Sequence, residues 1–587
     1  MSRMSVVTHS SQGQGNEAMR YDYIIVGGGS AGSVLANRLS ARNSNQVLLL
    51  EAGPDTPPGQ VPKVILDTYP GTAYLDERFH FTDLKVRTEV VSHNAPPNSA
   101  KPPLRKYEQA RVLGGGSSIN GQMANRGAPT DYAEWEARGA KGWGWEAVLP
   151  YFKKVERDLD FDDDYHGQSG RIPIRRIFPE HWTRHARAVA QALEAAGYEY
   201  IADQNGEFRD GYFPITISNA DEQRVSAAIG YLDEDTRKRS NLRIITQAEV
   251  SKLLFEGARC VGVEACIDGR VETFQGQEVI LSCGAIHSPA HLLRAGIGAP
   301  MALADLGIDV LASVPGVGQR LMDHPSIAIA SYVHKHARLV AHTRRHLHVG
   351  LRYSSNLEGV PPGDMFVAVA TKSSWHAVGE QMGSMILFVN RTYSETGQVK
   401  LASADWRVRP EVEFNLLSDR RDLERLVDGW RHLASMYAHD ALAAVTAKPF
   451  PASWGDKVRQ VGAVTTKNAF LTSVMARLLD GPAALRDYLI DRVIVDGYTT
   501  DQLMADDDAM EEFARTAAVG VWHASCSCRM GDASDPMAVT DTSGNVRGVQ
   551  NLRVCDASLF PVVPCANTNF PTLMVAEKIA DDILAGR

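Results

Sequence analysis

A short apolar run, Tyr23 to Val26, breaks abruptly into glycines at Gly27. Such a run, bounded by turn residues, predicts a buried parallel strand. Apolar positions at Val34, Leu35 and Leu39 then mark one face of a helix, so strand, glycine turn and helix follow in order. A second apolar run, "QVLLLEAG", predicts another strand ending in Glu51. The same succession returns in "EVILSCGAIHSPAHLLRAGIG", residues 278–298. There a buried strand runs into Gly284, Ser288–Pro289 opens a helix, and Gly296 and Gly298 close it. The pattern changes between Tyr151 and about Pro214, and again from about Met322 to Val519. "GQVKLASADWRVRPEVEFNLLSD" alternates as antiparallel strands and turns do, and "MILFVN", Met385 to Asn390, is a further strand. Leu573, Val575, Ala576 and Ile579 predict a closing helix started by a proline.

These patterns predict an α/β fold, α+β overall. A Rossmann-like dinucleotide-binding domain is expected from residues 21–150, 215–321 and 520–587. Residues 151–214 and 322–519 form a discontinuous second domain on an antiparallel sheet flanked by helices. A chain of 587 residues is long enough for two cores. Residues 1–20 read as a disordered polar leader, with Met19 as an alternative start.

Composition narrows the function classes. The chain is 44% hydrophobic and 22% charged, with a net charge of −9 and no long basic tract, so nucleic acid is not an expected partner. No apolar run reaches the roughly 18–20 residues that span a bilayer, and the leader lacks the apolar stretch of a signal peptide. Seven scattered cysteines, an odd number, fit reduced thiols in a cytoplasmic protein rather than a disulfide framework.

The chemistry starts at Gly27-x-Gly29-x-x-Gly32. The first glycine permits a tight turn, the second lets backbone approach a pyrophosphate, and the third allows close packing of helix on strand. The pyrophosphate would sit at the helix N-terminus, where unpaired N–H groups favour negative charge. Glu51, 24 residues after Gly27, stands where an acid takes ribose hydroxyls and argues against a 2′-phosphate. These features do not separate NAD from FAD. "ARVLGGGSSINGQMANRG", residues 110–127, is a second flexible loop able to press N–H groups against a phosphate or a planar ring.

Four motifs in order, "GGGSAG" with Glu51, "ARVLGGGSSIN", "GAIHSPAHLLRAGIG" and the C-terminal "WHAS…LRVCDASLFPVVPCANTNFPTLMVAEKIADDIL", resemble those of the glucose–methanol–choline (GMC) oxidoreductases. The resemblance runs from about residue 21 to the C-terminus. Within the family the chain is most similar to the 5-hydroxymethylfurfural oxidases and aryl-alcohol oxidases, with "ADQNGEFRDGYFP" and "FNLLSDRRDL" as supporting stretches. It implies FAD. By motif position, Ser30, Ala31 and Glu51 would contact the adenosine diphosphate part and Val250 the adenine. Leu113, Gly114, Gly115, Gly116, Ser117 and Asn120 would lie against the pyrophosphate and flavin. Asp556, Ala557 and Thr568 would close the flavin end. Ile119 stands where some members tether FAD through a histidine, so non-covalent FAD is expected. Ala110 and Ala295 replace a usual glycine and serine.

Oxidising an alcohol needs a base for the hydroxyl proton and a hydride acceptor, and a donor that steadies the charge building on oxygen. Histidine suits the base, because its ordinary pKa of about 6.5 lies near working pH. An asparagine amide suits the donor. His523 and Asn567 match the family's catalytic pair, with the flavin N5 taking the hydride. Asn569 is the weaker candidate for the donor, and helix capping competes for Asn567. Cys526 and Cys528, beside His523 in "VWHASCSCRMG", lack a second ligand pair for zinc, and a C-x-C disulfide would be strained, so they read as packing. No metal is expected. By its family position Trp522 would lie beside the flavin, and together with Val521 and with Phe388, which resembles an aromatic pocket position of the family, it suggests a compact apolar substrate pocket. For Phe388, core packing competes evenly.

"HKHARLVAHTRRHLH", residues 334–348, reads as a mobile surface loop near the entrance. "DLDFDDDYHG" reads as a solvated acidic turn without calcium-loop spacing. The implied activity is oxidation of primary aryl or furan-type alcohols, and of hydrated aldehydes, with oxygen reduced to hydrogen peroxide. A dehydrogenase using a quinone or another carrier stays open, as does a non-redox hydroxynitrile lyase. A photodecarboxylase is disfavoured by the His–Asn pair. The sequence fixes neither the oligomeric state nor which alcohol is used.

Overall fold

The computed structural model describes residues 20–89, 102–339, 344–495 and 497–587. The leader and Met19 lie outside the described residues. Strand Arg20–Val26 lies between two parallel neighbours, which is why Ile24, Ile25 and Val26 are all buried. On one side it pairs with Val47–Leu50, and on the other with the end of the long strand Arg270–Leu281. Leu242–Ile245 and Leu552–Val554 extend the parallel array. The first half of Arg270–Leu281 instead pairs antiparallel with Arg259–Ile267, which pairs with Ala248–Glu256. Seven strands result. Helix Ser30–Ser40 packs against the C-terminal helix Asn569–Leu584, and Arg38 joins them by ion pairs to Glu577 and Asp581. The two ends of the described chain therefore share one core.

The second large sheet is antiparallel. Its order is Thr446–Ala452, Pro325–Val333, Met382–Val389, Met365–Ala370, Leu347–Tyr353 and Gly211–Pro214. Helix Arg420–Met436 buries Trp430 and three leucines, Leu423, Leu426 and Leu433, behind it, each leucine worth roughly 1.5–3 kcal/mol of apolar burial. A two-residue strand, Val519–Gly520, pairs with Pro325–Ser326 and hands the chain directly to Val521, Trp522 and His523. Two smaller sheets join stretches assigned above to different domains. One brings Lys85–Arg87 onto Glu411–Glu413, and the other Ile172–Arg175 onto Ile217–Ala220. No helix among the described residues is long and apolar enough to cross a membrane.

Three local expectations need correction. The helix of the second strand–turn–helix unit starts at Gly284, not at Ser288, and holds Pro289 in its interior. Proline lacks the N–H that would bond the carbonyl four residues back. The Ser527 hydroxyl takes that role and donates to the Ala285 carbonyl at 2.5 Å. The histidine-rich segment is not a surface loop throughout. Leu347–Tyr353 is an inner strand, His348 is buried on it, and the turn Lys335–Ala337 precedes it; residues 340–343 lie outside the described residues.

The acidic turn is exposed at Leu159, Asp160 and Asp162 to Tyr165, but its two ends are not. Asp158 and His166 enter a buried network with Glu156, Asp203, Arg126 and Arg176. His166 Nε2 lies 2.8 Å from Asp203 and its Nδ1 3.0 Å from Asp158, while Arg176 bonds Asp158 at 2.9 Å and Asp203 at 2.6 Å. Arg126 pairs with Glu156. Glu156, Asp158 and His166 could converge on an ion, but the two arginines already supply the positive charge. Burial alone would lower the His166 pKa; bonds from Asp158, Asp203 and Glu156 override it and push the imidazole up to about 10. That contribution to stability is fully present below about pH 6.5 and is lost as pH rises through about 10. H166Q is therefore expected to lose about 3–5 kcal/mol at neutral pH by denaturant unfolding, and its stability should fall less than the wild type's between pH 7 and 10.

Candidate active site

Asp323 organises the site. It lies in the short link between the strands Gln319–Leu321 and Pro325–Val333 and bonds the segment that follows Val519–Gly520. Its Oδ1 accepts the backbone N–H groups of His324 at 2.8 Å, His523 at 3.0 Å and Val521 at 3.1 Å. A Cβ at Gly520 would come within 2.3 Å of Asp323 Oδ2, so only glycine lets the chain pass this closely. These bonds hold Trp522 in the left-handed region, at φ 61°, which costs a bulky residue energy unless its surroundings enforce it. Burial pushes the Asp323 carboxyl up to about 7, against the pull of the N–H bonds.

The imidazole of His523 is held at both nitrogens. Nδ1 lies 2.8 Å from His324 Nδ1, and Nε2 lies 3.0 Å from Asn567 Nδ2. Burial lowers the His523 pKa well below its usual value, and the neighbouring His324 lowers it further. His324, also buried, is pushed down to about 3. The pair is thus two neutral imidazoles at neutral pH. The Asn567 backbone N–H donates to Asn125 Oδ1 at 2.9 Å, which fixes the loop ahead of the last helix. Asn567 does not cap that helix; Asn569 begins it and accepts from the Ser30 hydroxyl at 2.6 Å.

A cavity of about 510 Å³ runs past these groups. Its wall contains His523, Asn567, Val521, Trp522, Thr568, Asp556 and Ala557. It also contains Gly27, Gly29, Ser30, Ala31, Glu51, Gly115, Gly116, Asn120 and Val250, which the first glycine turn, the second glycine loop and the adjoining strand supply. Of the expected site residues, Gly32, Leu113, Gly114, Ser117 and Phe388 are not part of the wall. Gly32 packs under Gly27, Leu113 is buried beneath Gly28, and the Ser117 hydroxyl donates to Gly114 and accepts from the Ala227 N–H. Phe388 stacks on Phe366, with ring centroids 5.9 Å apart, in a separate apolar cluster. Cys526 and Cys528 are buried free thiols.

The residues present fit a dinucleotide such as FAD. The two glycine turns approach so closely that a Cβ on Gly115 would lie 2.7 Å from Gly29 Cα, while Gly116 faces open space. Helix Ser30–Ser40 has no side-chain cap at its N-terminus, leaving N–H groups for a phosphate. The Glu51 carboxylate accepts from Gly28 at 2.8 Å and Gly53 at 2.7 Å, and burial pushes it up to about 7. Asp556 is fixed by Ser288 at 2.6 Å and by the Gly284 N–H at 2.9 Å.

Two family profiles, both described as GMC oxidoreductase, match residues 21–326 and 392–576. The chain belongs to the GMC oxidoreductase family. It is 44% identical to a 5-(hydroxymethyl)furfural oxidase of Methylovorus sp. (strain MP688), over 96% of this chain and 98% of that protein. Among solved structures, pyridoxine 4-oxidase from Mesorbium loti superposes with a TM-score of 0.78 at 24% identity, covering 96% and 99% of the two chains. A fungal aryl-alcohol oxidase superposes with a TM-score of 0.69 at 20% identity, covering 97% and 99%. This GMC oxidoreductase is an FAD-dependent enzyme that oxidises alcohols.

Several wall and support residues escape sequence reading. Trp522 donates to Glu108 at 3.2 Å and packs edge-on against Tyr74 at 4.9 Å, with Trp454 at 6.2 Å. All three partners line the cavity, as does His346. Only the polar Asp323–His324 step, set between apolar "LM" and "IAIA", carries a sequence signal. D323N preserves an oxygen acceptor, whereas D323A orphans three buried N–H groups at about 1–3 kcal/mol each. Denaturant unfolding should therefore find D323A much less stable than D323N. The raised Asp323 pKa favours the fold fully below about pH 4, and that gain fades as pH rises through 7. D323N should accordingly show a flatter profile across that window.

Proposed function

We propose that this GMC oxidoreductase is an oxidase of primary alcohols on aryl or furan rings, with oxygen as electron acceptor. The observation that carries the reading is His523 Nε2 lying 3.0 Å from Asn567 Nδ2 on the wall of a cavity fit for FAD. For Nε2 to serve as the base, Nδ1 must carry the proton and donate to His324 Nδ1, 2.8 Å away. Nε2 then takes the hydroxyl proton of the alcohol while the Asn567 amide donates to the oxygen on which charge grows. Bound FAD supplies the hydride acceptor at N5, and its reoxidation by oxygen yields hydrogen peroxide. The alcohol, having lost its O–H proton and one hydride from carbon, leaves as an aldehyde. A hydrated aldehyde presents the same H–C–O–H unit, so the same two removals give the acid.

Trp522, Tyr74 and Trp454 give the substrate end an aromatic wall suited to a flat ring. Ile119, buried against Ile65 and Phe79, offers no nucleophile, which supports non-covalent FAD. Seven free cysteines fit a reducing, cytoplasmic setting.

Anaerobic mixing of the FAD-loaded enzyme with benzyl or furfuryl alcohol should bleach the flavin, and readmitted air should give peroxide. Bleaching without peroxide would make the enzyme a dehydrogenase, and no bleaching would point to lyase chemistry. His523→Ala should slow bleaching by about 10²–10⁴-fold, and Asn567→Ala by about 10²–10³-fold. An unchanged rate in His523→Ala removes the base assignment.

A further inference from the structure

Ten of the nineteen exposed large apolar side chains among the described residues fall between Val458 and Val493. The other nine are scattered, so this concentration marks one element of the fold. It consists of the helices Asp456–Gly462, Thr466–Leu479 and Ala483–Leu489 and the π-helical turn Ile490–Ile494, each packed on the next. Helix Thr466–Leu479 is inverted relative to an ordinary surface helix. It buries Thr472, Ala476 and Leu479 but exposes Phe470 at 69%, Leu471 at 51%, Val474 at 41% and Leu478 at 43%. Phe470, Val474 and Leu478 recur at every fourth position and form one stripe. The preceding helix exposes Val458 and Val461, and the following one Leu485 and Tyr488.

The charges on this element are not balanced. Residues 456–494 hold six basic and four acidic side chains, in a chain whose net charge is −9. Each of those acids meets a basic partner: Asp456 meets Arg459 at 3.6 Å, Asp480 Arg338, Asp487 Arg486 at 3.7 Å, and Asp491 Lys448 at 2.9 Å. Lys457, Lys467, Arg477 and Arg492 are instead exposed, and none makes an ion pair or hydrogen bond among the described residues. These cations stand among the apolar positions. Lys467 precedes Phe470 by three residues and Arg477 follows Val474 by three, which puts both on the exposed side of their helix. Lys457 precedes Val461 by four, and Arg492 follows Tyr488 by four. The turn Lys335–Ala337, tied to Asp480 through Arg338, adds exposed Lys335 at the edge.

We propose that this face docks on the surface of an anionic lipid bilayer. The apolar side chains enter the headgroup boundary, while the lysine and arginine stems lie along them and carry their charges to the lipid phosphates. Four clustered cations beside an apolar face give the attraction its preference for anionic lipid. The acidic remainder of the chain is repelled by the same surface, so this face alone approaches it and the molecule is oriented. A second copy of the face would instead bring unpaired cations together with no free acid to relieve them. The contact is peripheral, since no helix among the described residues is long and apolar enough to cross a membrane.

The test is flotation of the FAD-loaded full chain with phosphatidylcholine–phosphatidylglycerol vesicles and with phosphatidylcholine vesicles, at low and high salt. K467E/R477E and F470D/V474D are run beside it, with M301D, at an exposed position outside the face, as a control. The wild type and M301D should bind the mixed vesicles at least about 10-fold more tightly than the neutral ones, and lose that preference at high salt. Each double variant should bind the mixed vesicles at least about 10-fold more weakly than the wild type, with unchanged flavin absorbance and melting temperature. A wild type that leaves the mixed vesicles unbound overturns the proposal. Equal binding to both kinds of vesicle overturns it as well, as does binding that survives either double variant. A wild type that stays off the vesicles and shows twice the chain mass by light scattering assigns the face to a second copy and overturns it too.

Discussion

One carboxylate oxygen, Oδ1 of Asp323, gathers the backbone N–H groups of Val521, His523 and His324 and so ties the end of one sheet strand to the start of another. Everything at the reactive end follows from that knot. It turns Trp522 into a conformation that a tryptophan avoids, and this sends the indole toward Tyr74 and Glu108 while His523 faces His324 and Asn567. Gly520 is the backbone's concession to the same knot, since any side chain there would strike the carboxylate. His523 is thereby placed by main-chain bonds, not by its own side-chain partners alone.

The two large sheets contribute in different ways. The parallel sheet ends in glycine turns whose backbones nearly touch, leaving a cradle for a dinucleotide at a helix N-terminus. The antiparallel sheet supplies the short strand Val519–Gly520, from which Val521, Trp522 and His523 depart. Burial at their junction favours the neutral form of four groups there. That raises Glu51 and Asp323 and lowers His324 and His523. A neutral His523 is the form a base requires.

Much of this was legible in the sequence because it rests on local rules. The glycines after Tyr23–Val26, the acid at Glu51 and the alternating strands of residues 397–413 each carry their own period or turn chemistry. The proposed pair of His523 and Asn567 rests on resemblance at the level of sequence, because nothing local marks a histidine as a base. Illegible features depend on contacts between distant segments. The Arg126–Glu156 and His166–Asp203 pairs hide inside what looks like a solvated acidic turn. The helix start at Gly284 depends on a serine hydroxyl 242 residues away taking over the carbonyl that Pro289 leaves free. Phe388, for which pocket and core packing competed evenly, stacks on Phe366 and is not part of the cavity wall.

The central claim is that His523 rests neutral, with its proton on Nδ1 and Nε2 free to act as base. Nitrogen-15 NMR of histidine-labelled, FAD-loaded enzyme, with His523 assigned by the loss of its signals in H523Q, tests this most directly. The account predicts a protonated Nδ1 and an unprotonated Nε2 whose shifts stay constant from pH 8 down to about 5.5, below the ordinary histidine midpoint of about 6.5. A His523 that titrates near 6.5, or that carries its neutral proton on Nε2, would contradict it.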